Sequence, residues 1–328
     1  MCIACISFAS RNHEPYVVVG TGQHIGTPQQ KGFCHVYRLG NNGRTLHFEH
    51  KTEFPLPVLA LCATANGRVA LGVGKELLIY DMGNTKLLRK SRCPNAASNR
   101  IQSIINSGNR FVVGDVKHSQ TYVTYKPDFN RLIPFIEDVT ERYTTAATMV
   151  DYETVAMGDK FGSLVLLRCP EKVSAEADDV GMNGHIANER PYLSGTPYRL
   201  DLQASFFVND IPTTLMRTPL VAGGEHLLVW AGFQGTLGFF VPFSSRTDAD
   251  LFEQLQSQLR AEDPPLSGRD HIAFRGYYQP VKSVIDGDLC ERFLLLAPGT
   301  KQRVAEAVGR SVREVEKKVL EMRTRVAY

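Results

Sequence analysis

The chain has 328 residues, of which 43% are hydrophobic and 22% are charged, and its formal net charge is +3. This is the composition of an ordinary globular protein, with a length that suits one large domain or two smaller ones. So small a net charge does not by itself predict nucleic-acid binding, and no apolar run approaches the roughly 18 residues of a membrane span.

The amino-terminal segment contains a possible metal-binding pair, Cys2 and Cys5. A zinc site needs a second pair at a suitable spacing, and none follows, so the pattern favours two small side chains in a β-strand. Seven cysteines, an odd number spread along the chain, favour a reducing compartment, and the first residues lack the basic flank of a signal peptide. The histidines are scattered too, and the sequence predicts no metal site.

A glycine-rich motif follows, in which a β-branched run leads into Gly20 and Gly22, with Gly26 beyond. The motif is close to a dinucleotide-binding turn, which would make the chain an oxidoreductase. That turn requires a helix directly after the glycines, because the helix N-terminus binds the pyrophosphate. The following residues contain Pro28 and Gly32 and then alternate like a strand, and the glycine spacing is one residue too long. The sequence therefore predicts no cofactor.

The same pattern recurs along the chain, each time as an apolar strand ending in glycine, a polar turn and a second apolar strand. The five glycines are Gly20, Gly72, Gly114, Gly158 and Gly232. The second, third and fourth are separated by a little more than forty residues, which is typical of β-propeller blades with four strands each. The sequence thus predicts a mainly β fold of about five blades, and Gly20 is interpreted as a hairpin glycine at which the backbone turns sharply.

Four strands are clearest in the second and third repeats. They are predicted over residues 58–63, 68–72, 76–80 and 86–90, and over 101–105, 111–114, 121–125 and 132–136. The fifth repeat lacks an obvious fourth strand. Before it, the acidic stretch 171–195 is predicted to be a loop insertion. Five blades leave sheet edges unpaired, so we expect the chain to be the carboxy-terminal part of a longer protein.

After residue 243 the apolar period changes from two to about 3.6, which predicts helices. We therefore expect a partial propeller over residues 1–243 and a helical domain over 244–328. One helix is predicted over 245–260, a second begins at the N-cap Asp286, and a third begins at Ser311, which forms a capping box with Glu314. The basic carboxy-terminal segment is interpreted as a solvated helix face because acidic residues are interleaved in it.

Two motifs in the helical part could suggest chemistry. Asp286 and Asp288 resemble a carboxylate pair, but a metal would need further ligands, and helix capping by Asp286 is the favoured interpretation. Arg269, Asp270 and His271 resemble a fragment of a catalytic triad. No serine or cysteine nucleophile motif accompanies them, which favours a structural polar network. No catalytic residue is predicted.

Residues 268–293, GRDHIAFRGYYQPVKSVIDGDLCERF, and the ending EVEKKVLEMRTRVAY resemble the splicing factor 3b subunit 3 family. Further similar stretches are HVYRLGNNGRTLHFEHKTEFP, VALGVGKELLIYDMGNTKLLRK and TTAATMVDYETVAMGDKFGSLVLLR, so the resemblance covers essentially the whole chain. The motif IDGDL is shared with the large subunits of damaged-DNA-binding and cleavage-and-polyadenylation factors, whereas YYQPVKSVIDGDLCERF is specific to the splicing branch. The stretch 171–195 and the loop around Gly26 depart from the family pattern.

The resemblance implies three seven-bladed propellers followed by a helical domain, with this chain supplying most of the third propeller and the helices. It also implies a non-catalytic scaffold, without cofactor or small-molecule substrate, in the splicing factor 3b complex of the U2 small nuclear ribonucleoprotein. The implied partners are a HEAT-repeat subunit and small subunits in the nucleus, with RNA contact at most indirect and no membrane. The implied task is to support branch-site recognition in pre-mRNA splicing.

Two other function classes remain open. A propeller adaptor of a cullin-type ubiquitin ligase or a DNA-damage complex would be favoured if a cullin, rather than a HEAT-repeat protein, were found in pull-downs. An oxidoreductase is disfavoured by the missing helix after Gly22.

Partner-binding residues are predicted where loops precede the first strands of the third and fourth blades. Connections between blades collect on one face of a propeller, and exposed loops on a rigid scaffold commonly carry recognition. The residues predicted in these loops are Asn99, Arg100, Arg142 and Tyr143. Lys282 is added in the helical part, since by resemblance Asn99 and Lys282 match positions near the family's contacts with the HEAT-repeat and small subunits.

A second candidate cluster consists of Arg275, Tyr277 and Tyr278. Arginine and tyrosine are enriched at binding hot spots, which favours a partner interface. The same residues could equally pack the helical domain onto the propeller, and the sequence leaves both interpretations open.

Overall fold

The computed structural model describes residues 1–41, 43–179, 195–262 and 264–325. It is mainly β, as predicted, with a few helices near the carboxy terminus. The strands are β1 Cys2–Ser7, β2 Pro15–Gln23, β3 Lys31–Gly40, β4 Thr45–Phe54, β5 Val58–Ala63, β6 Val69–Val73, β7 Glu76–Met82, β8 Leu87–Cys93, β9 Ile101–Ser107, β10 Arg110–Asp115, β11 Gln120–Lys126, β12 Arg131–Glu137, β13 Thr144–Met149, β14 Thr154–Asp159, β15 Ser163–Arg168, β16 Tyr198–Arg199, β17 Asp201–Phe207, β18 Pro212–Thr218, β19 Leu227–Gly232 and β20 Leu237–Phe240. The α-helices are α1 Glu171–Asp178, α2 Arg246–Glu262, α3 His271–Arg275, α4 Gly287–Glu291, α5 Pro298–Ala307 and α6 Val312–Thr324, and 3-10 turns cover Ala9–Arg11 and Arg292–Leu295.

The chain divides into two compact units, which are described separately. The first comprises Met1–Val155 and Leu167–Asp201, and the second comprises Ala156–Leu166 and Leu202–Tyr328. The predicted division into a propeller and a helical domain at residue 243 stays a prediction. Among the described helices, none has the length and apolar character needed to cross a membrane.

The strands form five sheets that follow the order of the chain. The first two have the orders β1-β2-β3-β4 and β5-β6-β7-β8, and the third is β9-β10-β11-β12 with β16 added beyond β12. The fourth has the order β13-β14-β15-β17, and the last, β18-β19-β20, has three strands. Each repeat found in the sequence is thus one sheet, and the prediction that the last is incomplete is confirmed.

The second and third sheets match the predicted strands within a few residues at each end. Neighbouring strands within them are antiparallel, as hairpin-connected strands must be, whereas β16 pairs with β12 in parallel. The predicted tight turn at Asn66 and Gly67 is confirmed, since Gly67 has a φ of 63° and its N–H donates to Thr64 O at 3.1 Å.

The recurrent glycines lie within strands, so the hairpin interpretation of Gly20 is wrong. Gly20 lies inside β2, opposite Cys2 of β1 and Cys34 of β3. A Cβ atom there would come within 2.5 Å of Cys2 Sγ and 2.8 Å of Val58 Cγ1. Glycine is required because β5, the first strand of the next sheet, packs directly onto it.

Two further copies show the same relation to the next sheet. A Cβ at Gly72 would lie 2.6 Å from Ile101 Cγ2, and one at Gly158 would lie 2.6 Å from Pro212 Cβ. Ile101 and Pro212 are the first residues of β9 and β18, as Val58 is of β5. At these three positions the repeated glycine therefore allows the first strand of the next sheet to approach closely, whereas a Cβ at Gly114 or Gly232 would meet Ser103 or Asp210 instead.

The turns themselves use other glycines, which follow the recurrent ones within a few residues. Gly74, Gly162 and Gly235 have φ values of 58°, 90° and 91°, a backbone region that side-chain-bearing residues rarely adopt. They lie between β6 and β7, β14 and β15, and β19 and β20. One set of glycines thus allows neighbouring sheets to pack closely, and a different set forms the turns between strands.

Hydrophobic cores lie between successive sheets of the first unit, and two of them are formed by described residues. One joins the first and second sheets, and its fully buried members include Val18, Val36 and Leu71. The other joins the second and third sheets through residues such as Ile79 and Val123. Because each inner strand is apolar on both faces, the middle sheet contributes to both cores.

The stretch expected to be a loop insertion begins with helix α1, so that part of the expectation is wrong. Helix α1 lies against the fully buried Arg110, whose guanidinium donates to Ser174 Oγ at 2.8 Å and to Asp178 Oδ1 at 2.9 Å. The guanidinium carbon is 3.9 Å from the ring centroid of Tyr152. Residues 180–194 of the expected insertion lie outside the described residues.

The predicted helices of the carboxy-terminal region are confirmed, and α3 and α5 are added to them. Asp286 caps α4 by accepting from the N–H groups of Asp288 and Leu289, and Ser311 and Glu314 form the predicted capping box of α6. Residues from α2, α4, α5 and α6 share one core, which includes Leu255, Phe293, Val304 and Val319.

Candidate partner-binding surfaces

In the first unit, the carboxylate of Asp115 organises the loop that contains Asn99 and Arg100. It accepts from the Asn99 N–H at 2.6 Å, the Asn99 Nδ2 at 3.2 Å and the Arg100 N–H at 3.2 Å. It also accepts from Lys117 N–H at 2.8 Å and His118 N–H at 3.0 Å, in the turn between β10 and β11. Burial alone would raise the pKa of Asp115, but these hydrogen bonds outweigh burial and hold its pKa below the ordinary value.

The loop before β13 is a third segment, and it contacts the turn between β10 and β11. Lys117 Nζ pairs with Glu141 Oε1 at 3.0 Å, and Tyr143 N–H donates to Lys117 O at 3.0 Å. Tyr143 has a φ of 52°, which is uncommon for a bulky residue and is held here by its surroundings. The structure thus brings the predicted residues Asn99, Arg100 and Tyr143 to one loop cluster, which we define as residues 99–100, 115–118 and 141–143.

The expectation of an exposed side chain is wrong for Arg142. It is 4% exposed, and its Nε donates to Asp138 Oδ2 at 2.6 Å. Because Asp138 is nearly as buried, turning Arg142 toward a partner would leave a carboxylate unpaired in the interior. Asn99 is exposed, and Arg100 and Tyr143 are partly exposed, so these three predicted residues are accessible to solvent.

In the second unit, Lys282 forms an isolated antiparallel bridge with Ser205 of β17. Both backbone hydrogen bonds of the bridge are 3.0 Å long. The exposed Lys282 ammonium donates to Leu202 O at 2.5 Å and pairs with no carboxylate in the described part of the chain. It therefore keeps its charge uncompensated and has donors available for another acceptor.

Arg275 lies in a buried ionic network around Asp286. Its Nε donates to Asp286 Oδ2 at 2.6 Å, and its Nη1 donates to Phe207 O at 3.2 Å. His271 Nε2 lies 2.6 Å from the same Asp286 oxygen, and Asp286 N–H donates to Gln256 Oε1 at 2.7 Å. Arg275 thus packs α3 against β17 and α4. The predicted structural polar network is confirmed for Asp270, which binds Arg260, and for His271, and it stays a prediction for Arg269.

Tyr277 and Tyr278 extend this packing toward the surface. Tyr278 stacks on Phe161, with ring centroids 4.4 Å apart and an interplanar angle of 17°. Tyr277 lies 5.6 Å from the ring of Phe207 and 6.0 Å from that of Tyr278. Both tyrosines remain more than half exposed. Their inner contacts agree with a packing role, while a role in partner binding stays a prediction.

Sequence reasoning missed the organising role of Asp115, although a signal for it exists. Gly114-Asp115 and Gly158-Asp159 are the same dipeptide at the end of corresponding strands. Asp159 accepts from Phe161 N–H and Ser163 N–H, both at 2.9 Å, much as Asp115 holds the turn after β10. A repeated aspartate after the repeated glycine therefore indicates a carboxylate that shapes the following turn.

The motifs that could have indicated chemistry have structural explanations. After Gly22 the chain enters β3 at Lys31, so the helix that a dinucleotide turn requires does not follow. Cys2 and Cys5 are three residues apart in β1, on opposite faces of the strand, and cannot converge on one ion. Across the described ranges, no group of three or more His, Cys, Asp or Glu side chains could hold a metal ion.

The cysteines are also unsuited to nucleophilic chemistry where they are buried. Burial raises the pKa of the thiols of Cys34 and Cys290 to about 12, so they remain protonated near neutral pH. All seven cysteines are free. The candidate sites therefore consist of loops held by hydrogen bonds and an exposed aromatic surface.

Comparison with known proteins assigns the family. The family model described as the CPSF A subunit region matches residues 1–295. The chain belongs to this family. It is 51% identical over 99% of its length to "Pre-mRNA-splicing factor rse1" of Neurospora crassa, and 40% identical over 98% to "Probable splicing factor 3B subunit 3" of Dictyostelium discoideum. It is also 38% identical over 99% of its length to "Splicing factor 3B subunit 3" of Danio rerio.

These relatives are much longer than this member of the CPSF A subunit region family. The chain spans 27% of the Neurospora crassa protein, 26% of the Dictyostelium discoideum protein and 27% of the Danio rerio protein. Similarity over nearly the whole chain is consistent with the resemblance drawn from the residues 268–293.

Proposed function

We propose that this chain is part of a scaffold subunit of the splicing factor 3b complex. The supporting observation is that relatives from fungi, a slime mould and a fish, at 38–51% identity over almost the whole chain, are named as splicing factors. In this role the subunit acts in the nucleus within the U2 small nuclear ribonucleoprotein. It supports branch-site recognition by holding other subunits and performs no chemistry itself.

The geometry supports binding because two carboxylates near the candidate surfaces already hold loops and helix ends in place. Asp115 is saturated by backbone donors, and Asp286 is shared by Arg275 and a helix N-terminus. Carboxylates held this way fix loops and helix ends, and fixed loops lose little entropy when a partner binds. We propose Asn99, Arg100, Tyr143 and Lys282 as contacts to a HEAT-repeat subunit and to small subunits.

The experiment is affinity purification of the tagged full-length protein from nuclear extract. We expect a HEAT-repeat subunit, small splicing factor 3b subunits and the U2 small nuclear RNA in the eluate. Lys282→Glu should weaken recovery of one of these subunits, since the substitution reverses an uncompensated charge. Lys86→Glu, an exposed lysine of the first unit, serves as the matched control and should leave recovery unchanged.

Recovery of a cullin without splicing factor 3b subunits would contradict the proposal and favour a ubiquitin-ligase adaptor. If the Lys282→Glu and Lys86→Glu variants recover equal amounts of the splicing factor 3b subunits, Lys282 is not part of the interface. The proposed scaffold role would be unaffected by that result.

A further inference from the structure

In the first unit, the loop cluster contains an arginine side chain that is not paired with any described residue. Arg100 is partly buried, yet its guanidinium forms no hydrogen bond or ion pair within the part of the chain that the structure describes. Its nitrogens are also not among the described side-chain atoms that are both buried and unpartnered, so the guanidinium reaches the surface. Arg100 therefore has five N–H donors available to a partner.

Other arginines that are buried or partly buried use their guanidinium groups within the chain. Each donates a hydrogen bond or forms an ion pair, and they are Arg11, Arg68, Arg110, Arg142, Arg168, Arg260, Arg275 and Arg325. Partial burial of a cation costs free energy unless an acceptor replaces the water that is lost. The unpaired guanidinium of Arg100 therefore indicates an acceptor that another molecule supplies.

The backbone of Arg100 is fixed before any partner binds. Its N–H donates to Asp115 Oδ2 at 3.2 Å, and its carbonyl oxygen accepts from Val116 N–H at 3.0 Å. The next residue, Ile101, is fully buried, and its N–H donates to Gly74 O at 2.7 Å. A side chain on a backbone held in this way loses less freedom on binding than one on a mobile loop, which favours affinity.

The charges around Arg100 decide which anion fits. The other lysine and arginine of the loop cluster, Lys117 and Arg142, are each paired with a carboxylate, at 3.0 and 2.6 Å. The carboxylate of Asp115 adds a negative charge beside the backbone of Arg100. An RNA backbone presents a row of phosphates and is bound through several uncompensated cations. A single carboxylate, which one guanidinium can bind with two parallel hydrogen bonds, fits this surface better.

We propose that Arg100 binds an Asp or Glu side chain of another polypeptide in the same assembly. Two guanidinium N–H groups donate to the two carboxylate oxygens. The neighbouring Asn99 is exposed, and no described residue donates to its Oδ1, so this oxygen accepts an N–H of the same segment. The inference rests on the proposed scaffold function and names the chemistry of one of its contacts.

The test is carbodiimide crosslinking of the complex purified with full-length protein that carries Arg100→Lys, followed by mass spectrometry. Carbodiimide joins an amine to a carboxylate in contact with it, and Arg100→Lys provides an amine while keeping the charge. We expect a crosslink from residue 100 to an Asp or Glu of another polypeptide. Arg131→Lys, at an exposed arginine of the same unit, is the matched control and should form no intermolecular crosslink.

The contribution of the guanidinium to affinity is measured with a second variant. Arg100→Gln should raise the dissociation constant between the full-length protein and the crosslinked polypeptide about tenfold or more, because it leaves the partner carboxylate unpaired. Arg100→Lys should have a smaller effect, since it keeps the charge and loses the bidentate geometry. The unfolding temperature of Arg100→Gln should equal that of the wild-type protein, because the guanidinium binds no described residue.

The proposal would be overturned if Arg100→Lys formed no crosslink to another polypeptide, or if Arg100→Gln left the dissociation constant unchanged. Loss of RNA, but of no polypeptide, from the complex purified with Arg100→Gln would overturn it in favour of a phosphate contact. A lowered unfolding temperature would overturn it in favour of a structural role within the chain. Recovery of splicing factor 3b subunits with the wild-type protein tests the scaffold function separately, since that result does not depend on Arg100.

Discussion

At the scale of residues, the sequence predicts a capping role when donor and acceptor are neighbours along the chain. Asp286 and Ser311 could be assigned as N-caps because their partners lie within three residues. The role of Asp115 could not be predicted in the same way, since it also binds Asn99 and Arg100 from the preceding loop. Arg142 was predicted at an interface from its loop position, and for Arg275 the residue type left an interface and internal packing equally open. Buried carboxylates draw both side chains inward.

The hydrogen bonds of Asp115 predict a pH-dependent contribution to stability. Its pKa is lower in the folded protein than the ordinary value of 3.8, so ionised Asp115 stabilises the fold above that pH. The contribution is lost as the pH falls through the lower folded pKa. Asp115→Asn should therefore lower the free energy of unfolding by about 2–3 kcal/mol at pH 7 and by less at pH 3, which lies below the ordinary pKa of 3.8. Urea unfolding at both pH values measures the difference.

Asp128→Asn is the matched control for this measurement, because Asp128 is an exposed aspartate in the turn between β11 and β12. The control should leave unfolding almost unchanged at pH 7. An equal loss for Asp115→Asn at pH 7 and pH 3 would contradict the assignment.

At the scale of elements, strands with alternating apolar residues and bounded by turns were predictable, as were the longer amphipathic helices. Helices α3 and α5 were not, because each is short and its apolar residues show no clear period. Helix α1 was taken for a loop because its position depends on Arg110, more than sixty residues earlier in the chain. Tertiary contacts of this kind leave no local signal.

The contact between sheets at Gly72 can be tested by double substitution. Gly72→Ala should lower the free energy of unfolding by about 1–3 kcal/mol, since the added methyl group would overlap Ile101. Ile101→Ala alone leaves a cavity, but the double variant should be more stable than the sum of the two effects predicts. Urea unfolding of the four proteins measures the coupling.

Gly299→Ala in α5 is the control, because a Cβ there meets no atom within 4 Å. Its effect on unfolding should be small or stabilising. Additive effects of Gly72→Ala and Ile101→Ala would contradict the close-approach explanation. They would mean that Gly72 is required by the conformation of its own strand and not by contact with the next sheet.

At the scale of the whole molecule, repetition was the most informative property of the sequence. The spacing of the five glycines predicted five successive sheets even though the physical reason first given for Gly20 was wrong. The repeat identifies the unit of structure, and at Gly20, Gly72 and Gly158 the repeated glycine also lets the next sheet approach closely. The candidate surfaces were less predictable, since Asn99 and Tyr143 are joined in one loop cluster through Asp115 and Lys117, which lie in a different segment of the chain.

The most direct test of the scaffold account is rapid depletion of the full-length protein in its own cells, followed by sequencing of newly made transcripts. The account predicts that unspliced introns accumulate soon after depletion and that a wild-type copy restores splicing. A copy truncated before this chain should not restore it, because the proposed contacts of both units would be missing. Unchanged intron removal after complete depletion would contradict the central claim.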